Sequence, residues 1–118
     1  MRTLNGLLCL SFSLILFAGC QKTGAAAPAQ HIAVVMKKYT IEPGVIKVKA
    51  GTDVELEVTS ADVQHGFDIP TLGIKEPVQP GKPAIIRFKA PAKGEYGIEC
   101  GIICGPRHEE MLAKLVVE

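Results

Sequence analysis

The sequence predicts an all-β domain, a two-sheet Greek-key sandwich of about seven strands. Three observations predict it. From Ile32 onward the apolar residues fall in short β-type runs cut by Gly and Pro, which is how strands and their turns read. Val54-Glu55-Leu56-Glu57-Val58 alternates strictly, so one face of that run is buried and the other wet. From Ile32 onward no stretch carries apolar residues at helical spacing over three turns. Short strands repeated at this spacing are what a sandwich is built from.

Taken in order, the chain has Arg2 as a charged residue near its start, then an apolar run from Leu7 to Phe17, and then Ala18-Gly19-Cys20. That is the pattern of a secretory leader over residues 1–19. Small residues just before a cysteine resemble a bacterial lipobox, with the departure that Phe17 stands where Leu is usual. Cys20 is then expected to carry a lipid, which anchors the protein to the membrane rather than threading it through. The alternative, an uncleaved anchor, meets the objection that Leu4 to Ala18 is shorter than the roughly 20 apolar residues a spanning helix needs. The expected location is the bacterial cell envelope, outside the cytoplasmic membrane.

Residues 20–31, with Gly24-Ala25-Ala26-Ala27-Pro28, have no apolar periodicity and read as a flexible tether. His31 at its end reads as an exposed histidine and not a ligand. The domain proper is residues 32–118. Its expected strands are Ile32 to Lys37, Val45 to Lys49, Val54 to Thr59, Gly66 to Ile69, Ala84 to Lys89, Glu95 to Glu99 and Leu112 to Val117. Turns are marked by Glu42-Pro43-Gly44, Ala50-Gly51-Thr52-Asp53, Gln79-Pro80-Gly81-Lys82 and Pro91-Ala92-Lys93-Gly94.

Composition narrows the function classes. Lys and Arg total 13 against 12 for Asp and Glu, so the chain has no electrostatic bias toward nucleic acid or any strongly charged partner. Trp is absent and aromatics make up 5%, which leaves few platforms for stacking bases. With Cys9 and Cys20 in the leader region, only Cys100 and Cys104 remain, too few for a disulfide framework.

Those two cysteines open the most informative stretch, Cys100-x3-Cys104-x3-His108-x2-Met111. It puts two thiols, an imidazole and a thioether into one short loop. Soft and borderline donors of this kind select copper over calcium or magnesium. Zinc sites favour closely spaced cysteine pairs and do not use thioether. A local disulfide between Cys100 and Cys104 would leave His108 and Met111 unexplained.

The loop resembles the binuclear copper A site of cytochrome c oxidase subunit II and nitrous oxide reductase, in the cupredoxin family. Asp62-Val63-Gln64-His65-Gly66-Phe67-Asp68-Ile69-Pro70 is similar to the family segment that supplies the first histidine ligand. The likeness extends to Glu95 through Glu99 and to Leu112 through Val117, and is strongest to subunit II of B-type oxidases. It implies a cupredoxin sandwich whose ligands are His65, Cys100, the backbone carbonyl of Ile102, Cys104, His108 and Met111. His65, Cys104, His108 and Met111 alone satisfy a mononuclear blue-copper set of one Cys, two His and a weak Met. Cys100 is the extra thiolate, and two thiolates can bridge two coppers with one imidazole on each.

Further expectations follow from that resemblance. A ligand list that fills both metals leaves no open position, and open positions are what catalytic sites keep. Electron transfer is therefore expected, with no catalysis by this chain alone. The implied partners are a cytochrome c-like donor and subunit I of a terminal oxidase. Many family members carry Glu at the position of Ile102, where it helps hold magnesium at the boundary with subunit I, and Ile has no such carboxylate. The family's electron-accepting tryptophan is also missing. Ile69, Pro70, Ile102, Ile103 and Pro106, with Arg107, Glu109 and Glu110 beside them, are the expected rim of a docking patch. Two other readings stay open: a copper carrier or assembly cupredoxin, and a mononuclear blue-copper electron carrier.

Overall fold

The computed structural model describes residues 29–118, so the expected leader, Cys20 and all but the last three residues of the expected tether lie outside the described residues. Nine strands follow one another: β1 (Gln30–Lys37), β2 (Thr40–Glu42), β3 (Val45–Val48), β4 (Asp53–Ser60), β5 (His65–Ile69), β6 (Ile74–Val78), β7 (Ala84–Lys89), β8 (Gly94–Cys100) and β9 (Leu112–Val117). Single 3₁₀ turns cover Pro70–Leu72 and His108–Glu110. One sheet runs β2-β1-β4-β7 and the other β3-β9-β8-β5-β6. Among the described residues no helix is long and apolar enough to cross a membrane.

All seven expected strands are present, and two were missed. Both missed strands lie at sheet edges. β2 is three residues long, too short to show a period. β6 reads Ile-Lys-Glu-Pro-Val, and its Pro77 disguises it as loop. An edge strand tolerates proline because one side of its backbone needs no partner. β1 also starts at Gln30, two residues ahead of the expected Ile32. His31 is therefore a strand residue, though exposed as expected, with its ring Nδ1 3.1 Å from Glu55 Oε1.

Alternation fills the space between the sheets. Val54, Leu56 and Val58 of β4 face Ile46, Val48, Phe67, Ile98 and Leu115 of the second sheet's strands, all of them buried. Completely burying a side chain the size of Leu or Phe contributes about 1.5–3 kcal/mol. Two parallel pairings tie distant parts of the chain: β1 with β4 from Gln30↔Val54 to Met36↔Ser60, and β3 with β9 from Val45↔Lys114 to Val48↔Val117.

The strand directions give the sandwich two poles. At one, Gln30 Oε1 accepts from the Lys49 N–H at 3.1 Å, and the Glu118 carbonyl accepts from Ala50 N–H at 2.9 Å. The other gathers the segment from Asp62 to His65, the end of β8 and the start of β9. Six residues of β9 separate the poles by about 20 Å.

Candidate metal centre

Three strand ends meet at the second pole. β5 begins at His65, β8 ends at Cys100 and β9 begins just after Met111. β5 and β8 are antiparallel, with Phe67 opposite Cys100. The loop is stitched to both neighbours, since Gly101 N–H donates to the Gly66 carbonyl at 3.1 Å and Cys100 N–H to the Met111 carbonyl at 3.3 Å. Close approach explains the glycines here. A Cβ on Gly66 would stand 2.9 Å from the Ile102 nitrogen, and one on Gly101 would stand 2.1 Å from Asp68 Oδ2.

The donors converge. His65, Cys100 and Cys104 each offer an atom within 4.8 Å of the others. Cys100 Sγ lies 3.8 Å from His65 Nδ1 and 3.8 Å from Cys104 Sγ, while the Ile102 carbonyl is 3.1 Å from it. Met111 Sδ sits 3.4 Å from Cys104 Sγ. A sulfur–nitrogen or sulfur–sulfur pair of donors held at about 2.0–2.3 Å from one metal is about 3.5–3.8 Å apart at a tetrahedral angle. Both cysteines are free thiols, so no disulfide joins them. His65 and Met111 are fully buried, and Cys100 nearly so.

His108 stands apart from this cluster. It lies on the 3₁₀ turn after Cys104 and shares with Cys100 and Met111 a cavity of about 300 Å³. Its Nδ1 is buried with no hydrogen-bond partner. An orphaned buried nitrogen costs stability unless something accepts or ligates it. Thiols, thioether and this free imidazole nitrogen together fit a soft or borderline metal. A larger groove, about 550 Å³, lies against the outer side of β8 and β9 and holds none of these donors.

Electrostatics around the cluster are arranged by hydrogen bonds. Asp62 Oδ1 meets His65 Nε2 at 2.7 Å, which makes Nε2 the donor and leaves Nδ1 aimed toward Cys100. Burial opposes ionisation of Asp62. The N–H groups of Lys38 and Val63, with the His65 ring, outweigh it and bring that carboxyl down to about 2. Burial pushes the Cys104 thiol up, and its contact with Cys100 adds to this. A cation entering here must displace thiol protons, so binding releases acid.

Most sequence-predicted site residues gather at this pole, with one correction in the rim. Ile69 is fully buried in the core and cannot contribute to a docking surface. Ile103 is 80% exposed, and Pro70 and Pro106 are exposed as well. Sequence reasoning missed the part Asp62 plays behind His65. The available signal was its place three residues ahead of that histidine.

A family model described as a cupredoxin-like domain matches residues 9–117. The chain is 33% identical to cytochrome c oxidase subunit 2 of Thermus thermophilus over 92 residues, covering 77% of this chain and 68% of that relative. Two further relatives of the same name are spanned to only 55% and 23% of their length. Among solved structures, the periplasmic domain of subunit II of the cytochrome oxidase of Bradyrhizobium japonicum has the same fold, with a TM-score of 0.71 at 22% identity, covering 80% of this chain and 88% of that one. A chain of a heme-copper terminal oxidase dimer gives 0.66 at 28% identity, covering 75% and 65%.

Proposed function

The chain belongs to the cupredoxin-like family, among the relatives of cytochrome c oxidase subunit II, and on that premise we propose that it is a binuclear copper A electron-transfer domain. In this reading His65, Cys100, Cys104, His108, Met111 and the Ile102 carbonyl hold two coppers. A cytochrome c-like donor supplies electrons, and the catalytic subunit I of a terminal oxidase receives them. Lipid on Cys20 and a tether over residues 20–29, ending where β1 begins, keep the domain at the outer face of the membrane. Bound at this pole, a copper pair supplies reversible one-electron chemistry.

The observation that carries the reading is the pair of thiols 3.8 Å apart with imidazole, thioether and carbonyl donors around them. A mononuclear blue-copper site needs one thiolate. The chain's own groups perform three tasks. Asp62 sets the His65 tautomer, the strand ends fix the donor spacing, and burial excludes water from Cys100 and Met111. Rigid donors change little when an electron arrives, which favours fast transfer.

Copper content measured together with optical and electron paramagnetic resonance spectra tests this. Two coppers per chain, a purple colour and a seven-line hyperfine pattern are expected. One copper with a blue, four-line spectrum would move the function to a mononuclear carrier. Rapid handover of copper to a chelator or acceptor protein, without stable redox cycling, would indicate a copper carrier or assembly factor.

A further inference from the structure

We propose that Tyr39 is a positioning residue for the metal centre, and that the two-residue turn Lys38-Tyr39 sets the spacing between its two ligand-bearing segments. This rests on the copper reading above. The turn joins β1 to β2 and touches both segments at once. On one side, Lys38 N–H donates to Asp62 Oδ2 at 2.7 Å, and Asp62 in turn holds His65. On the other, Tyr39 packs against the ligand loop. Its hydroxyl lies 2.6 Å, and its ring Cε1 3.1 Å, from the place a Cβ on Gly105 would occupy. The guanidinium of Arg107 sits over the same ring, 5.4 Å from its centroid, and is steadied by Glu110 at 2.9 Å from Arg107 Nε.

Gly105 follows Cys104, and Arg107 precedes His108. Tyr39 therefore grips the loop between two candidate ligands, at a place where the loop has no strand beside it. The ring is half-buried against the core, so it is itself held in place. A cation over an aromatic face is attractive without being rigid. Here the glycine contact supplies the steric stop. Groups that orient ligands without touching the metal change metal affinity when they are removed.

The test compares the full chain with Tyr39→Phe, Tyr39→Ala, Gly105→Ala and the double variant Gly105→Ala with Tyr39→Phe. The readouts are copper loss to a Cu(I) chelator, the spectrum of the copper-loaded protein, and amide hydrogen exchange of residues 101–110 in the metal-free chain. Tyr39→Phe keeps the ring and its contact with Arg107 but loses the hydroxyl, and should shift all three less than Tyr39→Ala does. Tyr39→Ala should speed copper loss about tenfold or more, alter the spectrum and speed loop exchange. Gly105→Ala should do the same, and removing the hydroxyl in the double variant should restore part of the loss, because the hydroxyl is the nearest of the ring's contacts with that Cβ. That restoration decides the matter if Tyr39→Ala does not fold. A Tyr39→Ala protein with unchanged spectrum, copper loss and exchange would overturn the proposal, as would an absence of coupling between positions 39 and 105. Failure of the unaltered chain to take up copper would instead sink the functional reading. The brace is then judged on loop exchange alone, where unchanged protection in Tyr39→Ala overturns it.

Discussion

At the residue scale, Cys100 and Asp62 carry the most distinct expectations. Cys100→Ser removes one thiolate and leaves His65, Cys104, His108 and Met111, a complete mononuclear set. Copper content should fall to at most one per chain, with a blue, four-line spectrum; retention of two coppers and an unaltered spectrum would rule out a bridging role. Asp62→Ala frees the His65 ring to turn and to change tautomer. Copper affinity should drop about 10–100-fold in chelator competition, and unchanged affinity would show that burial alone orients the ring. The loop residues were legible in the sequence because donor types at fixed spacing name their own chemistry. Asp62 was not, because its role depends on the Lys38 and Val63 N–H groups that hold it, and Lys38 is 24 residues away. Ile69 was misread as rim because a residue next to a site in sequence can still point into the core.

Among the elements, β4 binds its sheet through the charged outer face as well as the apolar inner one. Glu55 accepts from Arg87 Nε on β7 at 2.7 Å and meets His31 Nδ1 on β1 at 3.1 Å, each directly opposite in register. The Arg87 hydrogen bond holds the Glu55 carboxyl below its ordinary value of 4.5. A carboxylate depressed on folding stabilises the fold above its ordinary value, and that contribution disappears as pH falls through the folded value. The urea midpoints of the unaltered chain and Glu55→Gln should thus differ near neutrality and converge on acidification below 4.5. Midpoints identical at every pH would mean the cross-strand ions contribute nothing, as many exposed pairs do. Strand positions were legible where β-type apolar runs were set off by Gly and Pro, and clearest where they alternated, as in Val54–Val58. β2 and β6 escaped because edge strands need neither length nor a clean period.

On the scale of the whole molecule, stability rests on one core between two sheets, and Leu56 lies at its centre with no exposure. Leu56→Ala should cost about 2–5 kcal/mol, seen as a lower urea midpoint at unchanged slope. A loss below about 1 kcal/mol would mean that the two sheets collapse to fill the space. The sequence announced a sandwich, yet it did not announce which strands share a sheet. Alternation says which face of a strand is buried and is silent on its neighbours. The parallel pairings of β1 with β4 and β3 with β9 join segments far apart in the chain.

The two poles have a practical consequence. Gln30 and Glu118 both sit at the pole away from His65 and Cys100. Any graft at either position, whether a fusion partner or a linker to a gold electrode, holds the domain by its blunt end with the donors facing solution. With copper at that pole as proposed, such a film should exchange electrons readily with dissolved mediators and sluggishly with the electrode beneath it, because roughly 20 Å of packed sandwich lies between.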